Sequence, residues 1–189
     1  MESTFILLGA GVFVIGYGVI TYNSVIASKN SVKESFSAID TVLQNRYDLL
    51  PNLVEVIKQY ASHESRIFEK VSVARSTLMS RSRQASTDRF SQEDTFQTGM
   101  KSIFAIAENY PDLKASANFL ELQTQWSEME DRMQGARRAY NAAVKELDNK
   151  KQMFPSNIIA DMMTIESYAM YEVDESVRTA KIDTKEMFK

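Results

Sequence analysis

The residues best suited to chemistry are an adjacent histidine and glutamate, His63 and Glu64. A helical zinc site of the HExxH type needs a second histidine four residues after the first, but that position is Ile67. A di-iron site in a helical bundle needs a Glu-x-x-His motif on each of two helices. This chain has one His, and Tyr60 stands three residues before it. We therefore predict no metal site.

The residues for nucleophilic, phosphate-binding and nucleic-acid chemistry are also missing. The chain has no Cys, and no serine lies in the strand–turn–helix context that exposes a catalytic nucleophile. After the first 18 residues the glycines are Gly99 and Gly135, which stand alone and form no phosphate-binding loop. The formal net charge of −3 provides no basic surface for nucleic acid. We predict no catalytic residues, no cofactor and no nucleic-acid partner.

Several further polar residues fall on predicted helices, and we interpret them as a structural polar layer. Glu64 occupies an inward position of a helical repeat, where a carboxylate must be paired or neutralised. Arg137 or Arg138, on a later helix, is its expected partner. Such a layer can fix the register of packed helices, and a ligand-binding site is the alternative. The predicted layer comprises Arg46, Asp48, Asn52, Glu64, Arg137 and Asn141.

The elements that must position these residues begin with an apolar N-terminal segment. No charged residue occurs from Ser3 to Ser28, and Thr4–Tyr22 would rise roughly 28 Å as a helix, about one hydrocarbon thickness. The segment is apolar on all sides, which argues against the core helix of a soluble domain. No basic residue precedes it, which argues against a cleaved signal peptide. We predict a transmembrane anchor over residues 4–26, in contact with the lipid bilayer.

Four glycines in this anchor predict self-association. Gly9 and Gly16 are seven residues apart and share one helix face. Gly11 and Gly18 have the same spacing. Small residues in register let membrane helices approach closely, because packing drives their association in lipid. We expect a homo-oligomer, and another membrane protein is a further candidate partner.

The charges that flank the anchor predict its orientation. Glu2 precedes the anchor, whereas Lys29 and Lys33 follow it. Basic residues favour the cytoplasmic side of a membrane. The rest of the chain is therefore expected in the cytoplasm.

Beyond the anchor, apolar residues recur at steps of three and four, which predicts long amphipathic helices. The first continues from the anchor and is expected to end at Pro51, because proline restricts the residue before it and fits the first turn of a new helix. A second helix is predicted over about Pro51–Arg81, with Tyr60 facing inward. Residues 80–94, rich in Ser, Arg and acidic residues, predict a loop.

Three more helices complete the pattern. A third is predicted over about Gln92–Asn109, and a fourth, the longest, over about Ala115–Lys151. A short fifth helix follows Pro155, with Ser156 or Asn157 as its N-cap.

Together these elements predict an all-α fold, in which a transmembrane helix continues into an up-down antiparallel bundle of about four long helices plus a short C-terminal helix. The bundle covers residues 27–171, and a charged tail, residues 172–189, follows it. Between the third and fourth helices lies a turn whose exposed aromatic is a candidate contact with a neighbouring protein or the bilayer. This turn is Tyr110, Pro111 and Asp112.

Specific motifs in a fixed order resemble the LemA family of membrane-anchored bacterial proteins over about Tyr22–Tyr171. These motifs include Arg46-Tyr47-Asp48-Leu49-Leu50-Pro51-Asn52-Leu53, Tyr60-Ala61-Ser62-His63-Glu64, Ala107-Glu108-Asn109-Tyr110-Pro111-Asp112-Leu113, Arg137-Arg138-Ala139-Tyr140-Asn141 and Phe154-Pro155-Ser156-Asn157. The resemblance implies a bacterial plasma-membrane protein with a four-helix-type core. After Asp161 the chain departs from the usual family ending, so partner contacts made there are expected to be its own.

Two functions from different classes fit these features. The first is a membrane-anchored structural or interaction protein, a scaffold that self-associates and has no catalytic activity of its own. The alternative is an accessory subunit or adaptor of a membrane enzyme, such as a membrane protease. A symmetric assembly of the purified protein favours the first, and stoichiometric copurification of an enzyme favours the second.

Overall fold

The computed structural model describes residues 2–60, 69, 73 and 87–171. Helices dominate these residues, and no strand occurs among them, which confirms the predicted all-α fold. The charged tail and most of the predicted second helix beyond Tyr60 lie outside the described residues. The helices are α1 (Glu2–Tyr60), α2 (Thr87–Ala107), α3 (Pro111–Lys114), α4 (Ala117–Gln152) and α5 (Ser156–Asp161).

Helix α1 continues through Pro51, so the predicted helix break at this proline is wrong. A proline inside a helix costs roughly 3 kcal/mol, because it donates no N–H and its ring crowds the preceding turn. Around it, Leu50 and Leu53 are only 3% and 2% exposed, and Ile57 is fully buried. Each buried aliphatic side chain contributes about 1.5–3 kcal/mol. Packing against the rest of the bundle therefore offsets the penalty and keeps α1 in one piece.

Of the other helix ends, the start of α2 and the cap of α5 differ from the predictions. Helix α2 begins at Thr87, inside the segment predicted as a loop, because Arg89 and Phe90 are buried against other helices. Helices α4 and α5 begin and end close to the predicted residues. The predicted side-chain cap of α5 is absent: its N-cap is Pro155 and makes no side-chain cap bond.

Contacts between helices establish their directions. Near the anchor, Ser28 of α1 donates a hydrogen bond to Glu146 of α4 at 3.1 Å, and farther along α1, Arg46 pairs with Glu130 at 2.8 Å. The residue numbers of these contacts increase along α1 while they decrease along α4, so the two helices are antiparallel. Helix α2 runs parallel to α1, and its Phe96 ring packs between those of Tyr47 on α1 and Trp126 on α4, with centroids 5.7 and 5.9 Å away.

Two hydrophobic clusters fill the part of the bundle that the structure describes. The cluster close to the anchor gathers α1, α2, α4 and the segment after α5, with Val25, Val32, Ile39, Leu43, Phe90, Met133, Tyr140 and Tyr171 among its buried members. The distal cluster includes Leu50, Leu53, Ile57, Phe96, Met100, Ile103, Leu113, Phe119 and Trp126. Tyr60, predicted to face inward, is 42% exposed at the end of α1.

The first part of α1 is exposed on all sides from Glu2 to Ile20, apart from the half-buried Gly18. It is long and apolar enough to span a membrane, and hardly any of it is buried within the protein. From Thr21 onward α1 enters the bundle, and Thr21 and Val25 are already buried.

Candidate functional site: a buried charged layer

The buried carboxylate of Glu93 lies at the centre of the polar interior, between α2, α4 and the segment that follows α5. Glu93 of α2 is 1% exposed. It accepts a hydrogen bond from Arg89 Nε at 3.1 Å and another from the Tyr171 hydroxyl at 2.7 Å. Arg137 Nη2 on α4 lies 3.7 Å from it. The side chain therefore ties α2 to α4 and to the segment that follows α5.

Both arginines around Glu93 have a second acidic partner. Arg89 also pairs with Asp40 of α1, and its guanidinium lies 4.4 Å from the centre of the Phe36 ring. Arg137 pairs with Asp94 at 3.0 Å. Burial alone would lower the pKa of Arg89, but its hydrogen bond and ion pair with Asp40, together with Glu93, outweigh burial and raise it. Each of these two arginines therefore lies beside two carboxylates.

A second buried arginine joins α1 to α4 in the same layer. Arg46 is 1% exposed, and its Nη2 donates to Glu130 at 2.8 Å and to the Met129 carbonyl at 3.4 Å. Its guanidinium lies 5.1 Å from the centre of the Trp126 ring. The amide of Gln97 on α2 donates to the other oxygen of Glu130. Burial lowers the pKa of Arg46, and Glu130 partly opposes this effect.

The segment after α5 is held to α4 by side-chain bonds to its backbone. The Asn141 amide donates to the Tyr171 carbonyl at 2.8 Å and accepts from the Tyr171 N–H at 2.9 Å. The Tyr140 hydroxyl donates to the Ala169 carbonyl at 2.9 Å. The Tyr171 ring stacks on Phe90, with centroids 3.6 Å apart. These contacts place the Tyr171 hydroxyl against Glu93.

Of the residues predicted for a polar layer, the structure brings Arg46, Arg137 and Asn141 into these contacts. Asp48 and Asn52 are exposed and lie outside the layer. The reason is helical geometry: each residue turns about 100°, so positions two and six after Arg46 point away from the side that Arg46 occupies.

Arg137 or Arg138 was the expected partner of Glu64, which lies outside the described residues, so this pairing stays a prediction. Among the described residues Arg137 pairs with Glu93 and Asp94, and Arg138 is exposed. Sequence reasoning missed Glu93 because it lies where the predicted loop meets the predicted third helix, so the side of the helix that it occupies was not predicted. Its position four residues after Arg89 was the available signal, since oppositely charged residues at this spacing pair on a helix.

The turn predicted as a contact site lies at the far end of the bundle. Tyr110, expected to be exposed, is half-buried against the distal cluster, whereas Pro111 and Asp112 are exposed. This cluster includes Leu53, which lies roughly 45 Å along α1 from Tyr22 at 1.5 Å per residue. The turn therefore lies at the end of the bundle opposite to the apolar N-terminal segment.

The chemistry of the layer is that of charge pairing. Each of its two innermost carboxylates, Glu93 and Glu130, has an arginine beside it and a neutral donor on its other oxygen. In residues 2–60 and 87–171, no group of three or more His, Cys, Asp or Glu side chains is placed to hold a metal ion. His63 lies outside the described residues.

Two tyrosines of this layer predict that the bundle loses stability in alkali. Burial, together with the charge of Tyr168, raises the pKa of Tyr140 to about 12, and burial together with Glu93 raises that of Tyr171 strongly. A raised pKa in the fold means that the native state keeps a proton which the unfolded chain loses near pH 10. The stability that these two raised pKa values contribute is complete below pH 10 and is expected to decline as the pH rises toward 12. Urea unfolding across this range should show a smaller decline in a Tyr140→Phe, Tyr171→Phe variant; an equal decline would contradict the assignment.

The family model for the LemA family matches residues 35–185. The chain is also similar to Protein LemA of Metamycoplasma hominis, with 25% identity over 185 residues that cover 97% of this chain and 82% of the relative. The family match continues well past Asp161, so the predicted departure from the family pattern there is wrong. It includes the segment in which Tyr171 completes the charged layer.

Proposed function

The chain belongs to the LemA family, and we propose that it is a membrane-anchored structural or interaction protein that self-associates and has no catalytic activity of its own. The observation that supports this most directly is the continuity of α1, which runs from the exposed apolar segment into both hydrophobic clusters. At 1.5 Å per residue α1 extends roughly 88 Å. A helix of this kind couples the bundle rigidly to its anchor.

The charged layer supports a structural role for the bundle. Each buried charge of this layer has a partner of opposite sign, which supports a role in packing the helices. Removing either partner of a buried pair is costly, so such a layer selects one arrangement of the helices. We propose that the layer holds the bundle in a fixed shape for contact with a partner.

We place the anchor in the bacterial plasma membrane, with the bundle in the cytoplasm. Lys29 and Lys33 follow the apolar segment and support this orientation. Protease added outside intact cells should leave the bundle undigested, and the same protease should digest it after the membrane is opened. Digestion in intact cells would show that the bundle lies outside the cytoplasm. Release of the protein by alkaline carbonate would contradict the proposed transmembrane anchor.

Self-association is proposed to occur through the glycine faces of the anchor. A Cβ atom added at Gly9, Gly11, Gly16 or Gly18 would meet no other atom within 4 Å, so these faces are open to a neighbouring helix. The pair Gly9 and Gly16 points almost opposite to the pair Gly11 and Gly18, because two residues turn about 200°.

Leucine at one of these glycine pairs is expected to dissociate the assembly, because bulky side chains prevent close approach of the helices. The measurement is the native mass of purified protein in a mild detergent, with each pair replaced separately. Ala10→Leu is the matched control, since it enlarges a small residue between the two faces. Unchanged mass in both paired variants would contradict self-association through glycine, and a stoichiometric membrane enzyme in the parent complex would favour the adaptor alternative.

A further inference from the structure

A small apolar surface is exposed where α4 turns into α5. It consists of Met153, Phe154, Ile158 and Met162, and we call it the foot. These side chains are 62%, 80%, 53% and 82% exposed, respectively. Burying large apolar side chains is favourable, so four neighbouring exposed ones indicate a surface that contacts something apolar.

The foot lies at the membrane end of the bundle. Lys150 Nζ of α4 donates to the Ser24 carbonyl at 3.2 Å and to Ser28 Oγ at 2.6 Å. Ser24 lies two residues beyond Tyr22, where the apolar segment ends, and α4 runs toward the anchor. Met153 follows Lys150 by three residues, which at 1.5 Å per residue carries the chain about 4 Å farther toward the membrane. The foot therefore begins at the level of Tyr22.

The helix of the foot is held in place from its other side. Helix α5 packs against both α1 and α4, and its Ala160 is buried. Ile158 and Met162 are four residues apart, so they share a face, and Ala160 lies halfway around the helix from them. The Asn157 N–H donates to the Met153 carbonyl at 2.9 Å, which keeps the turn close to α5.

We propose that the foot inserts into the lipid surface beside the anchor, as a second membrane contact of the bundle. This inference rests on the proposed membrane anchoring. An apolar face of this kind lies in the interface, buried about 5–10 Å at the boundary of headgroups and acyl chains. With the anchor at one point and the foot at another, the bundle stands in a fixed orientation on the membrane and cannot rotate freely about α1.

Apolar insertion, not charge, drives this contact. Of the lysines before the foot, Lys150 is paired with Glu146 at 3.1 Å. The exposed Asp161 of α5 carries the charge opposite to that of Lys151. Because these two lysines and the two carboxylates sum to zero charge, binding of the foot is expected to be nearly the same on neutral and anionic lipid.

The test uses the full chain in lipid nanodiscs. Because the protein has no Cys, a single cysteine can be introduced and labelled with an environment-sensitive fluorophore. The labelled positions are Met162→Cys in the foot, Phe13→Cys in the middle of the anchor, and Leu120→Cys, an exposed apolar position at the far end of α4. Nitroxides attached to lipids near the glycerol or near the end of the acyl chain then quench each label according to its depth.

We expect the label at residue 162 to be quenched more by shallow than by deep nitroxides, the label at 13 to show the reverse, and the label at 120 to be unaffected. Adding Phe154→Asp and Ile158→Asp to the Met162→Cys protein should reduce quenching to the level seen at residue 120. Replacing part of the phosphatidylcholine by phosphatidylglycerol should leave the quenching unchanged.

Three results would overturn the proposal. Quenching at residue 13 without quenching at residue 162 would support membrane anchoring and contradict insertion of the foot. No quenching at either position would contradict membrane anchoring and the foot together. Energy transfer between labels at 162 on two chains, with no quenching by lipid, would assign this surface to contact with a second copy.

Discussion

Replacing Glu93 with alanine is expected to lower the free energy of unfolding by about 3–5 kcal/mol, the usual result of removing one partner of a buried ion pair. Arg89, which is 4% exposed, would lose this carboxylate and keep its ion pair with Asp40. The buried Tyr171 hydroxyl would lose its acceptor, which adds a desolvation penalty of about 1–3 kcal/mol. The measurement is urea unfolding of the full chain in detergent, followed by the fluorescence of Trp126, the single tryptophan.

Two controls separate this effect from the general cost of losing a glutamate. Glu34→Ala, at an exposed position of α1, is expected to change stability by less than about 0.5 kcal/mol. Combining Glu93→Leu with Arg89→Met and Tyr171→Phe should recover much of the loss, because replacing buried polar partners together by apolar residues can be nearly neutral. Arg137 keeps its ion pair with Asp94 in this variant. A loss below about 1 kcal/mol for Glu93→Ala would mean that the carboxylate is solvated.

Arg46→Ala is expected to have an effect of similar size, about 3–5 kcal/mol, for a partly different reason. Arg46 is 1% exposed, and its removal leaves a cavity beside Trp126 and takes the cation from Glu130. Arg46→Lys should also destabilise the bundle, though less, because an ammonium keeps the charge but lacks the planar group that lies over the indole. Urea unfolding followed by circular dichroism gives both values.

Arg132→Ala is the matched control for this second prediction. Arg132 lies on α4, is 66% exposed, and pairs at 3.9 Å with a glutamate that is also exposed. Exposed pairs contribute about 0–1 kcal/mol. Equal losses for Arg46→Ala and Arg132→Ala would show that burial of Arg46 adds nothing to stability.

The sequence by itself determined the features that depend on local pattern. The run of apolar residues before Tyr22 predicted a segment able to span a membrane, and apolar residues at steps of three and four predicted the long amphipathic helix that the structure shows as α4. These predictions succeeded because a helix presents residues at that spacing on one face, whatever it packs against. The family motifs likewise depend only on residue order.

Tertiary structure decided the features that depend on which helices meet. Local propensity places a helix end at Pro51 and a loop around Arg89, and in both places the burial of neighbouring side chains overrides it. The charged layer shows the same limit of prediction from local sequence. Arg46 and Asp48 are equally polar and nearly adjacent, yet only Arg46 faces α4 and finds an acidic partner there. Which polar residue is buried depends on the side of the helix that its neighbour covers, and this is settled only when the helices pack together.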